Sequence, residues 1–467
     1  MNRTAAFATL LAVLPVLAVR ADPKPAETAP EAPPARECRV RGGLPEFFAK
    51  AAQGEEIKVA YFGGSITQQS GYRVHTFEWL RERYSKAKFV HIDASLGGCG
   101  SMLGVFRTDD EIVRQRPDLV FVEFAVNDGG RKPEMVVRCM EGIVRKLLRR
   151  SPDTELCFVY TVRKGPILEA ARKGECHSTV AAMEKVADHY GIPSIHMGLE
   201  VARMVKEGKL IFEDRGIGRD DEKTRDGKPV FSADGVHPFV ETGHRLYAEA
   251  VARGMRQIET ARSAPARREV PKPLNEKNWV HAKMIPVRQV GLTEGWERLD
   301  TAKCGLFLKR YARYLSEVYR SDKAGEAITL RFKGPVIGLF GFAGPSCGQL
   351  RVFIDGKEIA VEPWFGRYSR LRNGLYHFVV HVDASGARIP VDSKVNYLKR
   401  LGKDIYYNPE ETQAVHTARF EIHPDPPDKA AILARWNRKL ADPKLRDRTD
   451  IFAGRIMLLG ELVREED

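Results

Sequence analysis

Between Gly54 and about Ile258, short apolar runs alternate with stretches of helical periodicity, and this alternation restricts the fold more than any other feature. Strands are expected at Ile57–Phe62, Phe89–Ile92, Leu119–Phe124, Leu156–Thr161 and Ser194–His196. Helices are expected near Gln68–Tyr84, Val105–Arg114, Pro133–Arg150, Thr179–Tyr190 and from Pro238 onward. Strands this apolar have no wet face, so they belong in a parallel sheet covered by helices on both sides. Right-handed crossovers join such strands. The pattern predicts a doubly wound, three-layer α/β/α domain over residues 54–260.

That architecture is flavodoxin-like, and 467 residues leave room for a second core. Residues 261–273, rich in Arg, Pro and Ala, read as a linker. In residues 274–467 the period changes. Short strands are expected at Ala327–Phe332, Val336–Phe340, Gln349–Ile354, Tyr376–Val382, Ala418–Ile422 and Phe452–Leu459. Turn signals such as Asp355-Gly356 and Asn373-Gly374 separate them. The expectation is a mostly-β sandwich, with a short helix within Lys429–Lys439 and a long excursion over Ala384–Val415. One polar stretch, Val201 to Phe231, interrupts the first domain as an insertion that could overhang a site.

The ends and the composition add bounds. Arg3 precedes an apolar run, Ala5 to Val19, and Val19-Arg20-Ala21 offers a small residue for cleavage, so residues 1–21 read as a signal peptide. Export is the expected localisation, with no integral membrane segment left after cleavage. Residues 22–53, which open with a Pro-, Ala- and Glu-rich run, read as a flexible N-terminal segment. Seven cysteines (Cys38, Cys99, Cys139, Cys157, Cys176, Cys304 and Cys347) leave at least one unpaired and do not make a disulfide scaffold. No His, Cys or Asp grouping has zinc spacing, so neither metal nor cofactor is expected. The net charge of +13 is spread along the chain without a nucleic-acid-binding module, which fits a solvated basic surface and argues against nucleic acid as a partner.

Four blocks fall where a doubly wound sheet presents the carboxyl ends of its strands, the usual place for a ligand. They are Gly63-Gly64-Ser65-Ile66-Thr67, Asp93-Ala94-Ser95-Leu96-Gly97-Gly98-Cys99-Gly100, Val122-Glu123-Phe124-Ala125-Val126-Asn127-Asp128 and Asp234-Gly235-Val236-His237-Pro238. Each alone reads equally as ordinary structure: Ser65 as a helix cap, Gly97-Gly98 as a turn, Asn127-Asp128 as a loop. Acyl transfer gives a reason for them to meet. A serine hydroxyl needs a base to take its proton, which His237 can supply. Asp234 can hold that imidazole in the right tautomer. The tetrahedral intermediate needs donors for its oxyanion, and the N–H groups of Ser65 and Gly98 and the side-chain amide of Asn127 are candidates.

In these four blocks the chain resembles the SGNH (GDSL-type) hydrolase family over about Lys58 to Ile258. The resemblance implies a serine esterase in which Ser65 is the nucleophile, His237 the base and Asp234 its partner. It assigns Ser65, Gly98 and Asn127 to the oxyanion hole. Two positions depart from the pattern: Gly64 stands where the family has aspartate, and Asp93 where asparagine is frequent. Thr67 in the last position also rules out the Gly-x-Ser-x-Gly elbow of an α/β-hydrolase. By family analogy, the substrate is an O-acetyl or other short acyl ester on a glycan, or a small ester. A lipase or thioesterase on longer chains, a glycan-binding protein with a vestigial site, and acyl transfer to a sugar are the competing readings.

Residues outside the four central roles carry smaller expectations. Arg107, Asp109 and Asp110 read as charges at a helix start, Asp128 as a support for the Asn127 loop, and Glu123 as a buried partner with a perturbed pKa. His75, His177 and His196 read as structural or surface histidines. Trp364, Phe365, Tyr368 and Tyr376, with Arg367 and Arg370, could stack on sugars but fit sandwich packing better.

Overall fold

The computed structural model describes residues 33–218, 220–261, 270–363, 373–383, 386–390 and 414–464. The expected signal peptide, most of the linker, Trp364 to Arg370, and most of the 384–415 excursion lie outside them. The first domain runs β1 (Cys38–Arg39), α1 (Pro45–Gln53), β2 (Glu56–Gly63), α2 (Ser65–Gln68), α3 (Tyr72–Arg83), β3 (Lys88–Asp93), α4 (Ser101–Glu111), β4 (Leu119–Glu123) and α5 (Pro133–Arg150). It continues with β5 (Glu155–Val159), α6 (Pro166–Lys173), α7 (Ser178–Tyr190), β6 (Ser194–Ile195), α8 (Gly198–Lys206), β7 (Ile211–Glu213), β8 (Thr224–Arg225), β9 (Lys228–Ser232) and α9 (Gly243–Thr260).

The sheet order is β1-β6-β5-β4-β2-β3, parallel except for β1. Side chains alternate across a strand, and here the alternation sorts them into two cores. Ile57, Val59 and Tyr61 of β2 join Leu119 and Phe121 of β4 beneath α1, α3, α8 and α9. Ala60 and Phe62 join Val120 and Val122 on the opposite face, beneath α4, α5 and α7. The predicted three layers are those of the structure.

The N-terminal segment corrects the expectation of flexibility. From residue 33 it is part of this domain: β1 pairs with β6, and α1 buries Leu44, Phe47 and Ala51 in the second core. The apolar spacing from Leu44 to Ala51 is helical. The polar insertion is also partly helix. Val201 and Ala202 of α8 are buried, and only β7, β9 and β8 form a separate small sheet.

The second domain comprises β10 (Ala282–Pro286), β11 (Gly291–Leu292), β12 (Glu297–Asp300), α10 (Leu306–Lys309), β13 (Glu317–Ser321), β14 (Ala327–Ala343), β15 (Gln349–Ile354) and β16 (Lys357–Pro363). It ends with β17 (Gly374–Asp383), β18 (Gly386–Pro390), β19 (Val415–Ile422), α11 (Lys429–Ala434) and β20 (Ile451–Val463). All its strand pairs are antiparallel. The two strands expected at 327–332 and 336–340 are one long strand, β14, bent at a register shift between Lys333 and Val336. Glycine makes the bend possible. Gly334 has φ +134°, and a Cβ there would lie 2.1 Å from the Leu459 carbonyl oxygen and 2.9 Å from Gly460 Cα. Beyond the bend β14 leaves β19 and pairs with β17, so Phe378 and Phe420 meet edge-on across the fork at 5.8 Å.

The domains are not beads on a string. Trp279, which is buried, packs edge-on against Phe106 of α4 at 5.7 Å and donates its backbone N–H to the Arg138 carbonyl at 3.0 Å. Glu141 of α5 accepts from the backbone N–H groups of Leu274 and Asn275. One apolar cluster runs from α4 and α5 through Trp279 to Leu315, Phe340 and Met457. No disulfide contributes, since all seven cysteines are free.

Candidate active site

The four blocks converge at the carboxyl ends of β2, β3 and β4. Ser65 opens α2 directly after β2, and its Oγ lies 2.8 Å from His237 Nε2. His237 Nδ1 lies 2.7 Å from Asp234 Oδ2. A carboxylate only accepts, so the proton belongs on Nδ1, and Nε2 is left to accept from the serine hydroxyl. The other Asp234 oxygen accepts from the N–H groups of Val236 and His237, at 2.9 and 2.8 Å, and from Ser232 Oγ at 3.0 Å. Burial pushes the Asp234 carboxyl up, but the hydrogen bonds from the His237 ring and from these backbone N–H groups outweigh it and hold it at about 2. Gly235, at φ +72°, lets the loop turn tightly enough for Asp234 to reach a histidine three residues on.

The glycines of the first block answer a question of space. A Cβ on Gly64 would lie 1.9 Å from Asn127 Oδ1 and 3.1 Å from the Cys99 carbonyl oxygen. Blocks one, two and three therefore touch at that backbone. The aspartate usual in the family has no room here. In the second block the Leu96 N–H donates to the Gly63 carbonyl at 3.0 Å, and Gly98 adopts φ +78°. A Cβ on Gly97 would stand 3.9 Å from Ser65 Cβ, so this loop runs alongside the serine. Gln69 Nε2 donates to the Pro238 carbonyl at 3.2 Å, which ties the first block to the fourth.

Residues behind the site hold it. Asp128 is buried; its carboxylate accepts from the Ser101 N–H at the start of α4 and pairs with Arg131 at 3.0 Å, which fixes the Asn127 loop. Glu123 is fully buried and accepts from Thr161 Oγ1 at 2.6 Å and Thr67 Oγ1 at 3.4 Å. Burial pushes its carboxyl up to about 7 against those hydrogen bonds. Thr67 in turn meets Tyr72 Oη at 2.8 Å.

Arg107 corrects its reading as a helix-start charge. It is fully buried and donates to the Ala94 carbonyl at 2.9 Å and to Cys99 Sγ at 3.1 Å, with Glu111 as its ion pair and the Phe62 ring 5.4 Å away. Asp109 pairs with Lys146, and Asp110 with Arg114. His177 caps α7, His75 reaches the Val240 carbonyl, and His196 is buried. Among the described residues no group of three His, Cys, Asp or Glu is placed to hold a metal, and no helix is long and apolar enough to cross a membrane.

Comparison with known proteins matches residues 61–246 to the GDSL-like lipase/acylhydrolase family. Residues 61–246 are a GDSL-like domain. By class this domain is a carboxylic ester hydrolase. No curated protein matches the chain. Two crystal structures of a two-domain esterase (CEX) active on acetylated mannans, one co-crystallized with mannopentaose, share the fold of both domains. TM-scores are 0.60 and 0.59 at 19% and 18% identity, covering 91% of this chain and 97% and 98% of theirs. The GDSL-like domain and its antiparallel companion thus recur together.

Two outcomes test this account of the site. In Gly64→Ala the new methyl must displace Asn127 or the serine turn, so turnover of p-nitrophenyl acetate falls by about a hundredfold, the typical cost of one oxyanion donor. Wild-type turnover in that variant would remove the steric argument. Glu123→Gln addresses the buried carboxyl. The folded chain keeps a proton on Glu123 that the unfolded chain releases between about pH 4.5 and pH 7, so Glu123 costs stability progressively as pH rises through that window. The Tm of Glu123→Gln relative to wild type therefore increases from pH 4.5 to 7 and levels off above; a pH-independent difference would contradict it.

Proposed function

We propose that the protein is an exported esterase that removes O-acetyl groups from a carbohydrate. The observation that carries the reading is the unbroken line from Ser65 Oγ through His237 to Asp234, set beside Asn127 and the Gly97-Gly98 loop. The two-domain likeness to an esterase active on acetylated mannans supports the carbohydrate assignment. The apolar run before Ala21 supports export.

In this mechanism Ser65 Oγ attacks the acetyl carbonyl carbon while His237 Nε2 takes the hydroxyl proton. Asp234, ionised down to about pH 2, stabilises the imidazolium that forms. The oxyanion receives hydrogen bonds from the N–H groups of Ser65 and Gly98 and from the Asn127 amide. Collapse of the intermediate breaks the bond to the sugar oxygen, which leaves with the proton from His237. Water then attacks the acetyl-serine, His237 takes its proton, and acetate departs as Ser65 regains its hydrogen.

The experiment is hydrolysis of p-nitrophenyl acetate, butyrate and octanoate, and acetate release from acetylated manno- and xylo-oligosaccharides, by wild type and Ser65→Ala. Acetate is cleaved best, acetylated oligosaccharides release acetate, and Ser65→Ala loses at least about a thousandfold. Preference for octanoate would move the reading to a lipase, and activity surviving in Ser65→Ala would end it. For export, the N-terminus of the full chain recovered from an expressing bacterium begins at Asp22 in the extracytoplasmic fraction; an intact Met1 in the cytoplasm would contradict it.

A further inference from the structure

One residue of the second domain reaches the loops that carry the oxyanion donors. Leu315 is buried in the apolar cluster that joins the two domains, where it packs against Gly454. The preceding residue, Tyr314, points the other way. Its hydroxyl donates to the Ser95 carbonyl at 2.6 Å and accepts from Gln68 Nε2 at 3.0 Å and from Arg313. Ser95 lies in the loop that leads to Gly98. Gln68 ends α2, the helix that Ser65 begins, and its Oε1 lies 3.0 Å from where a Cβ on Gly97 would be. A single phenol thus bridges the segment bearing the Ser65 N–H and the segment bearing the Gly98 N–H.

The bridge is rigid for physical reasons. The Tyr314 ring has the Arg313 guanidinium at 4.5 Å and the Arg107 guanidinium at 5.8 Å. Arg107 is fixed by Ala94, Cys99 and Glu111, and Arg313 by Asp93 at 2.9 Å and by the Ser95 carbonyl at 3.3 Å. The hydroxyl uses its one proton on Ser95 and both lone pairs on Gln68 and Arg313. It has nothing left to offer a substrate.

From this geometry we infer that Tyr314 is a positioning residue for the oxyanion donors, supplied to the first domain by the second. The inference rests on the serine-esterase reading above. It makes the two domains one catalytic unit: the spacing between two donors, to which such sites are sensitive at the level of about an ångström, depends on a side chain from outside the domain that bears them.

The test compares Tyr314→Phe with Tyr190→Phe on p-nitrophenyl acetate and on an acetylated manno-oligosaccharide. Tyr190 Oη binds Glu141 and Arg145 at the foot of the linker, away from the site, and serves as the stability control. Tyr314→Phe lowers kcat about tenfold on both substrates with KM within about twofold. Tyr190→Phe lowers Tm and leaves kcat unchanged. Gln68→Leu breaks the same bridge from the first domain, reproduces the kcat loss, and adds little to Tyr314→Phe in the double variant; it decides the matter should Tyr314→Phe fail to fold. An unchanged kcat, or a rise in KM alone as for a substrate contact, would overturn the assignment. Ser65→Ala separates the two layers. Activity surviving there sinks the esterase reading, whereas an inactive Ser65→Ala beside a fully active Tyr314→Phe sinks only the role of Tyr314.

Discussion

No side chain fits at position 64, and the arrangement of the site depends on that constraint. With hydrogen in place of a Cβ, the end of β2 lies against the Asn127 amide on one side and the Cys99 carbonyl on the other. Gly63 is crowded as well: a Cβ there would stand 2.8 Å from the Glu123 carbonyl oxygen and 2.2 Å from Thr67 Oγ1. Two bare positions in succession bring three strand ends within reach of each other. The serine that follows is thereby delivered to the histidine loop. An aspartate at 64 would need space that in this chain belongs to Asn127.

The frame of the first domain was legible because its signals are periodic. β2, β4 and β5 read as strands through continuous burial, and the two cores follow from their alternation. The four blocks were legible because glycine, asparagine and Asp-x-x-His mark loops at strand ends. Other features depend on partners distant in sequence. Arg107, which is sealed inside, shares its i,i+4 carboxylate pairing with the exposed Arg114, and what sets it apart is the Ala94 carbonyl and Cys99 Sγ that the preceding loop brings to it. The union of two expected strands into β14 depends on Gly334 facing Gly460, more than a hundred residues away. Tyr314 lies in a stretch to which the sequence pattern assigns no element, and its partners Ser95 and Gln68 lie more than two hundred residues away. In the N-terminal segment the Pro- and Ala-rich start masks the helical spacing from Leu44 to Ala51.

The shared core explains how the second domain can act on the first. Lys146 of α5 is buried, with burial lowering its pKa, and its ammonium reaches the Val105 carbonyl, Asp109 and the Ala282 carbonyl. A buried cation held this way is costly to disrupt, because loss of Asp109 would leave its charge uncompensated. Together with Trp279 it holds β10 against α4 and α5, and so sets the direction from which the loop bearing Arg313 and Tyr314 approaches.

The seven unpaired cysteines have a consequence for the life of the chain. Burial raises the thiol pKa of Cys38, Cys99, Cys139, Cys157, Cys176 and Cys347, and five of these side chains are enclosed in the interior. A thiol reacts as thiolate and only where an oxidant can reach it, so these five thiols are chemically quiet in the folded molecule. In the unfolded one they are not. Each excursion to the open chain presents seven nucleophiles able to couple in combinations that the native packing never permits. Durability of this molecule in an oxidising medium is therefore a contest of rates, in which closing of the two joined cores must outpace sulfur chemistry.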